Sequence, residues 1–476
     1  MTSRAKPIFL YITAIIFPVI IHIYINCFLW YDTNILIPKN FLEHFYYYLN
    51  FIWFIPILWV LMNFFGLLFG APKDENIQDF AGWTWDPTGS LLIISYVSRG
   101  DNQIALKRAI AATQQELDSA EVKYAIEIVT DQEVIRKNRI SETNGKIYYY
   151  IIPDNYETKT KVKYKARALQ YLLEMRTQRF KENSKLHIND VWVLHLDEES
   201  IITSQLIMGI RNFILKYNMN NTKGALGQGE ILYNAYNYGK NIFITAIDAL
   251  RTGDDLGRFR LQYKIFNKPL IGMHGSFVLL PAKIEQEIGW DSGGKSCLTE
   301  DAYFALLAAE KKVKFDWVNG FIKEQSPFTV MDIIRQRARW YTGLIRVATD
   351  SKLKLANRFI LMIYVFAWTF AWFGAPLFLF DCIVMKLIYD IRFFPFWATI
   401  LTAILVGLIG SLYVVGAYRN VYHLNAPFRK KAYIVFMTYV LFLFQLPMLV
   451  ESSSVIYALY KQIFNPIVKF HIVNKN

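Results

Sequence analysis

The chain has 476 residues, 54% of them hydrophobic, and a formal net charge of +13 at pH 7. That apolar share is too high for an ordinary soluble enzyme of this length, and its 3 scattered cysteines, Cys27, Cys297 and Cys382, indicate neither a disulfide framework nor a zinc site. A basic chain invites a nucleic-acid reading, but basic residues here collect in the central polar part and beside apolar blocks, which suits a membrane face and a polyphosphate ligand and not nucleic acid.

In chain order, Ile8 to Trp30 and Tyr47 to Gly70 carry no formal charge. Each reaches the roughly 20 apolar residues that cross a bilayer. The first block is too long for a signal peptide, and no small-residue cleavage site follows it. Arg4 and Lys6 precede it, while the loop from Tyr31 to Tyr46 has one lysine. The positive-inside rule then places the N-terminus and the central polar part in the cytoplasm. Further apolar blocks run from Phe359 to Phe380, Phe393 to Tyr418 and Ala432 to Val450, with Arg419, Arg429, Lys430 and Lys431 on the cytoplasmic side of the same count. The last block continues to Ile463 through Pro447, Glu451 and Ser452 to Ser454, which predicts a broken or re-entrant helix. Glu451 is either a functional intramembrane carboxylate or a group at the membrane edge.

The expected organisation is a membrane region over 1–70, a polar domain over 71–354, and a second membrane region over 355–476. That makes a multi-pass protein with a cytoplasmic domain, in the ER or Golgi membrane of a eukaryote or the inner membrane of a bacterium.

Within the polar part, strand-like and helix-like segments alternate, which predicts an α/β fold. Leu91 to Val97, Tyr124 to Val129, Tyr148 to Ile152 and Val191 to Leu196 read as strands. Helical segments follow Asp101, to about Glu116, and run from Lys163 to Phe180. The strand at Val191 ends in Asp197-Glu198-Glu199. Ligands bind outside the carboxyl ends of strands in open α/β sheets, and Mg²⁺ takes one or two carboxylates plus substrate phosphates. Asp197 and Glu199 therefore make a metal and diphosphate platform, or else a helix cap beside solvated glutamates.

Asp131 ends another strand and suits a nucleobase contact or a turn. Lys163, Lys165 and Arg167 open a helix, where their charges suit bound phosphates or a solvated basic turn. Gly227-Gln228-Gly229 and His274-Gly275-Ser276 read as turns that permit close ligand approach. Thr299 is a candidate helix cap before Glu300 and Asp301, and a carboxylate there also fits a general base for inverting sugar transfer. Ser326-Pro327 predicts a helix start. On that helix Gln336, Arg339 and Trp340 share a face. The arginine and indole suit a diphosphate and a sugar ring, and the indole equally suits a membrane interface.

The ordered set resembles the family 2 inverting glycosyltransferases of the membrane-embedded kind, which includes cellulose, hyaluronan and glucomannan synthases. A strand-end Asp131, a Lys-rich helix start, the D-x-D-like Asp197-Glu198-Glu199, the pair Glu300-Asp301 and Gln336-Arg337-Ala338-Arg339-Trp340 carry the resemblance. Stretches between about Ser98 and Gly343, such as Arg99-Gly100-Asp101 and Lys268-Pro269-Leu270, are most similar to the β-1,4-mannosyltransferase branch that extends glucosylceramide. Lys469 to Val473 looks like that branch's short tail.

The resemblance implies a GT-A-like, Rossmann-like domain inserted between transmembrane helices. It implies a nucleotide-sugar donor, a lipid-linked or saccharide acceptor, and Mn²⁺ or Mg²⁺. Asp131 would meet the nucleobase, Lys165 and Arg339 the diphosphate, and Asp197 and Glu199 the metal. Asp301, beside Glu300, would be the general base. Gln336 and Trp340 would complete the diphosphate and acceptor surface, with Arg99, His274, Gly275 and Ser276 also binding substrate. Glu199 stands in place of the second Asp of D-x-D, and Met273-His274 in place of Trp-Lys before Gly275. The expected reaction is transfer of mannose from GDP-mannose to a glycolipid such as glucosylceramide. A processive polysaccharide synthase is the alternative, although about five spans are few for a channel.

Overall fold

The structure, a computed structural model, describes residues 5–69, 85–131, 146–182, 187–219, 224–236, 238, 241–294, 297–424, 426–464, 473 and 475. Arg4, Gly70, the domain start at Ala71, and Lys469 to Ile472 lie outside the described residues.

Apolar helices come first: α1 (Ala5–Trp30), α2 (Phe41–Leu49) and α3 (Ile57–Leu67). The α/β part carries α4 (Gln103–Ser119), α5 (Tyr164–Glu182), α6 (Ser204–Met219) and α7 (Ile242–Asp254). It continues with α8 (Ala282–Ile288), α9 (Glu300–Glu310) and α10 (Val330–Thr349). Then follow α11 (Leu355–Phe380), α12 (Phe396–Tyr422), α13 (Ala426–Leu443) and α14 (Gln445–Phe464). Among the described residues, three stretches are long and apolar enough to cross a membrane: Phe9–Trp30, Phe41–Leu67 and Phe396–Tyr422. The second is interrupted by a 3₁₀ turn, Asn50–Phe54. The last apolar block is broken at Phe444, between α13 and α14; Pro447 lies in the first turn of α14, and Ser452 to Ser454, expected at the break, continue that helix.

The sheet has 7 strands: β1 (Leu91–Ser98), β2 (Tyr124–Thr130), β3 (Ile147–Ile151), β4 (Val191–Asp197), β5 (Ala225–Leu232), β6 (Val278–Pro281) and β7 (Lys314–Lys323). Their order across the sheet is β3-β2-β1-β4-β6-β5-β7, and only β6 runs antiparallel to its neighbours. β1, β2 and β4 are near-continuous apolar runs because parallel strands bury both faces. Their register decides the site. Val97 lies beside Asp197, and Ser98 beside Thr130, so three strands end level. Arg99, Asp131 and Asp197 thereby emerge at one edge.

Two expectations fail locally. Gly227 and Gly229 sit inside β5 and not in a turn. A Cβ at Gly227 would lie 2.5 Å from Val318, and one at Gly229 2.6 Å from Phe277. Helix α10 begins not at Ser326-Pro327 but after Thr329, whose hydroxyl accepts from the Asp332 amide at 3.1 Å.

The α/β part is fused to α12. A Cβ at Gly416 would lie 1.8 Å from the Ala249 carbonyl, so α7 and α12 touch backbone to backbone. Arg419, expected as a membrane-face charge, is instead buried: its Nε and Nη2 donate to the two carboxylate oxygens of Glu230 in β5 at 2.8 and 2.7 Å. Asn420 Oδ1 accepts from the Tyr233 amide at 2.9 Å, closing the end of β5.

Candidate active site

At the level strand ends lies a cavity of about 800 Å³. It is lined by the residues that the resemblance gave substrate, metal or catalytic roles, Arg99, Asp131, Lys165, Asp197, Glu199, His274, Gly275, Ser276, Glu300, Asp301, Gln336, Arg339 and Trp340, but not by Gly227, Gln228 or Gly229.

Asp131 and Arg99 come from the loops after β2 and β1. Arg167 Nη1 donates to Asp131 at 3.2 Å, and Arg99 lies 3.6 Å from Asp101. Arg167 thus orients Asp131, a role the sequence left open. Lys165, on the first turn of α5, pairs with Asp197 and donates to the Gly275 carbonyl at 2.8 Å. Burial opposes charge on Lys165, but Asp197 and Glu300 outweigh it and raise its pKa. Burial pushes Asp197 up as well, yet the Lys165 ammonium prevails and holds it below the usual carboxylate range.

Ser276 fixes the end of β4, its Oγ accepting from the Asp197 amide at 3.2 Å. His274 pairs with Asp255, and its backbone amide donates to Gln228 at 3.0 Å. Gln228, at the core of the supposed glycine turn, therefore holds the His274 loop from inside the sheet. His195, the one imidazole in the β4 run, does not reach the cavity: it meets Glu285 at 2.7 Å in the buried ion network with Arg176 and Glu127.

Asp301 lies on the first turn of α9. Thr299 occupies the cap position, but its hydroxyl makes no capping bond, and Asp301 itself accepts from the Ala302 amide at 2.7 Å. Burial, and then Glu300, push the Asp301 carboxyl up to about 7. A carboxylate held near neutrality is suited to proton transfer. Gly275 crowds it: a Cβ there would lie 3.0 Å from Asp301 Oδ2 and 3.2 Å from Lys165 Nζ.

From α10, Arg339 donates to the Leu298 carbonyl at 3.3 Å and Gln336 accepts from Arg337 at 2.9 Å. The Trp340 ring centroid lies 4.4 Å from the Arg337 guanidinium and 4.7 Å from that of Arg251. Arg337 in turn binds Asp248 at 2.6 Å and Glu451 of α14 at 3.1 Å. Glu451 is thereby a buried cavity residue held by an arginine.

Sequence reasoning missed Lys475. It is buried at the cavity, its Nζ lies 3.1 Å from Glu199 and its amide donates to Asn102 at 2.9 Å. Neighbouring Glu324 is pushed up to about 7 by burial and by Glu199. No signal near Lys475 in the chain marks it, because its partners come from the turn after β4 and the residue that precedes α4. Asp197 and Glu199 thus each face an ammonium, and no cluster of three or more metal-ligating side chains occurs among the described residues. Two hard carboxylates that already attract cations still fit an ion whose other ligands are phosphate oxygens and water.

Comparison with known proteins adds the family. Residues 192–413 match the family described as glycosyl transferase family group 2. The β-1,4-mannosyltransferase egh of Drosophila melanogaster is 32% identical over 323 residues, 68% of this chain and 66% of that protein. The β-1,4-mannosyltransferases bre-3 of Caenorhabditis briggsae and Caenorhabditis elegans are 32% and 31% identical over 309 residues, 65% of this chain and 63% of theirs. The chain thus spans just under two thirds of the length of these relatives. Among solved structures, a mannosyltransferase from Pyrobaculum calidifontis in complex with GDP-Man and Mn²⁺ covers 89% of this chain and 99% of its own at 12% identity, with a TM-score of 0.47, too remote a likeness to build on. Residues 192–413 are similar to glycosyl transferase family group 2, and the chain around them is similar to the β-1,4-mannosyltransferases of flies and nematodes.

Proposed function

We propose that this protein is an inverting hexosyltransferase that moves mannose from GDP-mannose to a hydroxyl of a membrane glycolipid, forming a β-1,4 linkage. One observation carries the reading: a single cavity joins Asp301 to the strand-end carboxylates and to side chains of α3 and α11. The similarity to β-1,4-mannosyltransferases supports the choice of sugar. Asp131 takes the nucleobase, and Lys165 and Arg339 the diphosphate, as charge-assisted donors. Asp197 and Glu199 would hold Mn²⁺ or Mg²⁺, which neutralises diphosphate charge when bound. Asp301 accepts the proton of the acceptor hydroxyl as its oxygen attacks C1 of the sugar. The C1–O bond to the diphosphate breaks from the opposite face, inverting C1, and GDP leaves with that electron pair. The basic residues flanking the apolar helices support a cytoplasmic site.

The test is nucleotide release by the detergent-purified protein with a panel of GDP- and UDP-sugars, Mn²⁺ or Mg²⁺, with and without glucosylceramide. Release from GDP-mannose that requires the glycolipid, with a one-sugar product, is the expected result. Release from a UDP-sugar without lipid, with a long product, overturns it in favour of a polysaccharide synthase.

The Asp301 environment sets a pH dependence. A base works deprotonated, and its carboxyl titrates at about 7. Transfer measured as kcat/KM is therefore expected to rise with pH through about 7, opposite in sign to a general acid there. A profile flat across that range would remove Asp301 from the role. Gly275→Ala places a methyl 3.0 Å from Asp301 Oδ2 and 3.2 Å from Lys165 Nζ, so each must give by a few tenths of an ångström. Since a misplacement of about 1 Å costs on the order of 100-fold in rate, single-turnover transfer is expected to fall by roughly 3- to 10-fold while the thermal midpoint stays near that of wild type.

A further inference from the structure

The cavity that holds Asp301 is also lined by Trp59 of α3, by Tyr364 and Trp368 of α11, and by Arg258. Arg258 is buried. Its Nε and Nη2 grip Asp254 at 2.7 and 2.5 Å, and its guanidinium lies 4.0 Å from the Phe259 ring centroid and 4.6 Å from that of Tyr364. Its Nη1 is buried with no hydrogen-bond acceptor in good geometry among the described residues. A buried donor without an acceptor is unfavourable, so native structures keep few of them, and those at cavities await a ligand or water.

The backbone here is irregular. Asp255–Phe259 is a π-turn kinked at Gly257, a geometry that concentrates at functional sites. A Cβ at Gly66 of α3 would lie 1.8 Å from the Gly257 carbonyl, so a stretch able to cross a membrane is seated directly on this turn. Asn63, also of α3, accepts from the Arg258 amide at 3.0 Å. The free donor and the aromatic walls are therefore held rigidly where the α/β part meets apolar helices.

We infer that this part of the cavity is an acceptor subsite for the lipid-linked side of a hexosyl lipid. The indole and phenol rings cover the apolar face of the sugar, and Arg258 Nη1 donates to the glycosidic oxygen or an adjacent hydroxyl. Trp59 and Trp368 come from the apolar helices α3 and α11, the side from which lipid chains would reach the cavity. A free saccharide would meet Arg258 and one ring face but leave the rest of the apolar walls uncovered, which is why the lipid-linked form is the occupant. The inference rests on the glycolipid reading above and names the residues that recognise that acceptor.

The test uses the full chain in nanodiscs containing glucosylceramide, with soluble octyl β-glucoside as a second acceptor. Arg258→Gln and Trp368→Leu are each compared with wild type for GDP Kd, thermal midpoint, kcat and acceptor KM. The expected result is an acceptor KM for glucosylceramide raised about tenfold, the effect of losing one charge-assisted hydrogen bond or one ring contact, with GDP Kd unchanged. Unchanged acceptor KM in variants that bind GDP normally overturns the subsite. If Arg258→Gln does not fold, Trp368→Leu carries the comparison, since it leaves the Arg258–Asp254 pair intact. Failure of the wild type to transfer any sugar to lipid sinks the glycolipid reading separately. Direct binding of glucosylceramide, followed by tryptophan fluorescence in a chain carrying Asp301→Asn, then decides the subsite. Binding weakened by Arg258→Gln or Trp368→Leu supports it, and no binding, or binding indifferent to both, overturns it.

Discussion

Asp301→Asn is expected to lower kcat for transfer by about 10²–10⁴-fold, the span that a positioned general base contributes, and to leave GDP binding unchanged. Asparagine has the same shape and retains the oxygen that accepts from the Ala302 amide. What it loses is the ability to take a proton at the one carboxyl that burial and Glu300 hold near neutrality. Glu300→Gln separates the two acids of the pair. It removes the charge that helps raise Asp301, so the acid limb of the pH profile should move to lower pH while activity at neutral pH persists. The measurement is single-turnover transfer from GDP-mannose with the variants assayed across the acid range. Transfer by Asp301→Asn at the wild-type rate would require a base elsewhere in the cavity.

The largest effect on stability is expected from Arg419→Met. Arg419 and Glu230 are both buried, and the arginine satisfies both oxygens of the carboxylate. Removing one partner strands a charge in a medium that cannot solvate it, which costs about 3–5 kcal/mol. The double variant Arg419→Met with Glu230→Met strands nothing and should recover most of that loss. Thermal unfolding in detergent across the cycle of single and double variants gives the coupling directly. Neither residue lines the cavity, so protein that does fold should keep the wild-type acceptor KM. Additive losses in the double variant would mean that the pair does not act as a unit.

The sequence disclosed the site better than the scaffold around it. Asp131 and Asp197 were legible because each closes a mostly apolar strand, although Glu127 in the middle of β2 shows that a buried strand also carries a carboxylate when arginines pair it. The Gln336 to Trp340 face was legible from helical spacing alone. Gly227 and Gly229 misled because glycine signals a turn and a tight interstrand fit equally, and only the neighbouring rings of Phe213 and Phe277 decide between them. Ser326-Pro327 resembled a helix start, but the hydroxyl that caps α10 belongs to Thr329. Lys475 and Arg258 carried no local pattern. Each matters through partners distant in the chain, Glu199 and Asn102 for one, Asn63 and the α11 rings for the other. Arg419 looked like one of a basic group, and nothing beside it indicated that Glu230 waits in the sheet.

The seam between α7, β5 and α12 limits how this chain can be dissected. A fragment ending before Phe396 would expose the α7 surface that Gly416 touches, leave Glu230 without its cation, and leave the Tyr233 amide without Asn420. The polar half is thus no passenger on a hydrophobic anchor that a shorter tether could replace. Swapping its helices for those of an unrelated membrane protein would remove part of the catalytic half's own interior. Change in the two halves is coupled for the same reason: a substitution that tilts α12 moves the strand that carries Gln228, and with it the His274 loop.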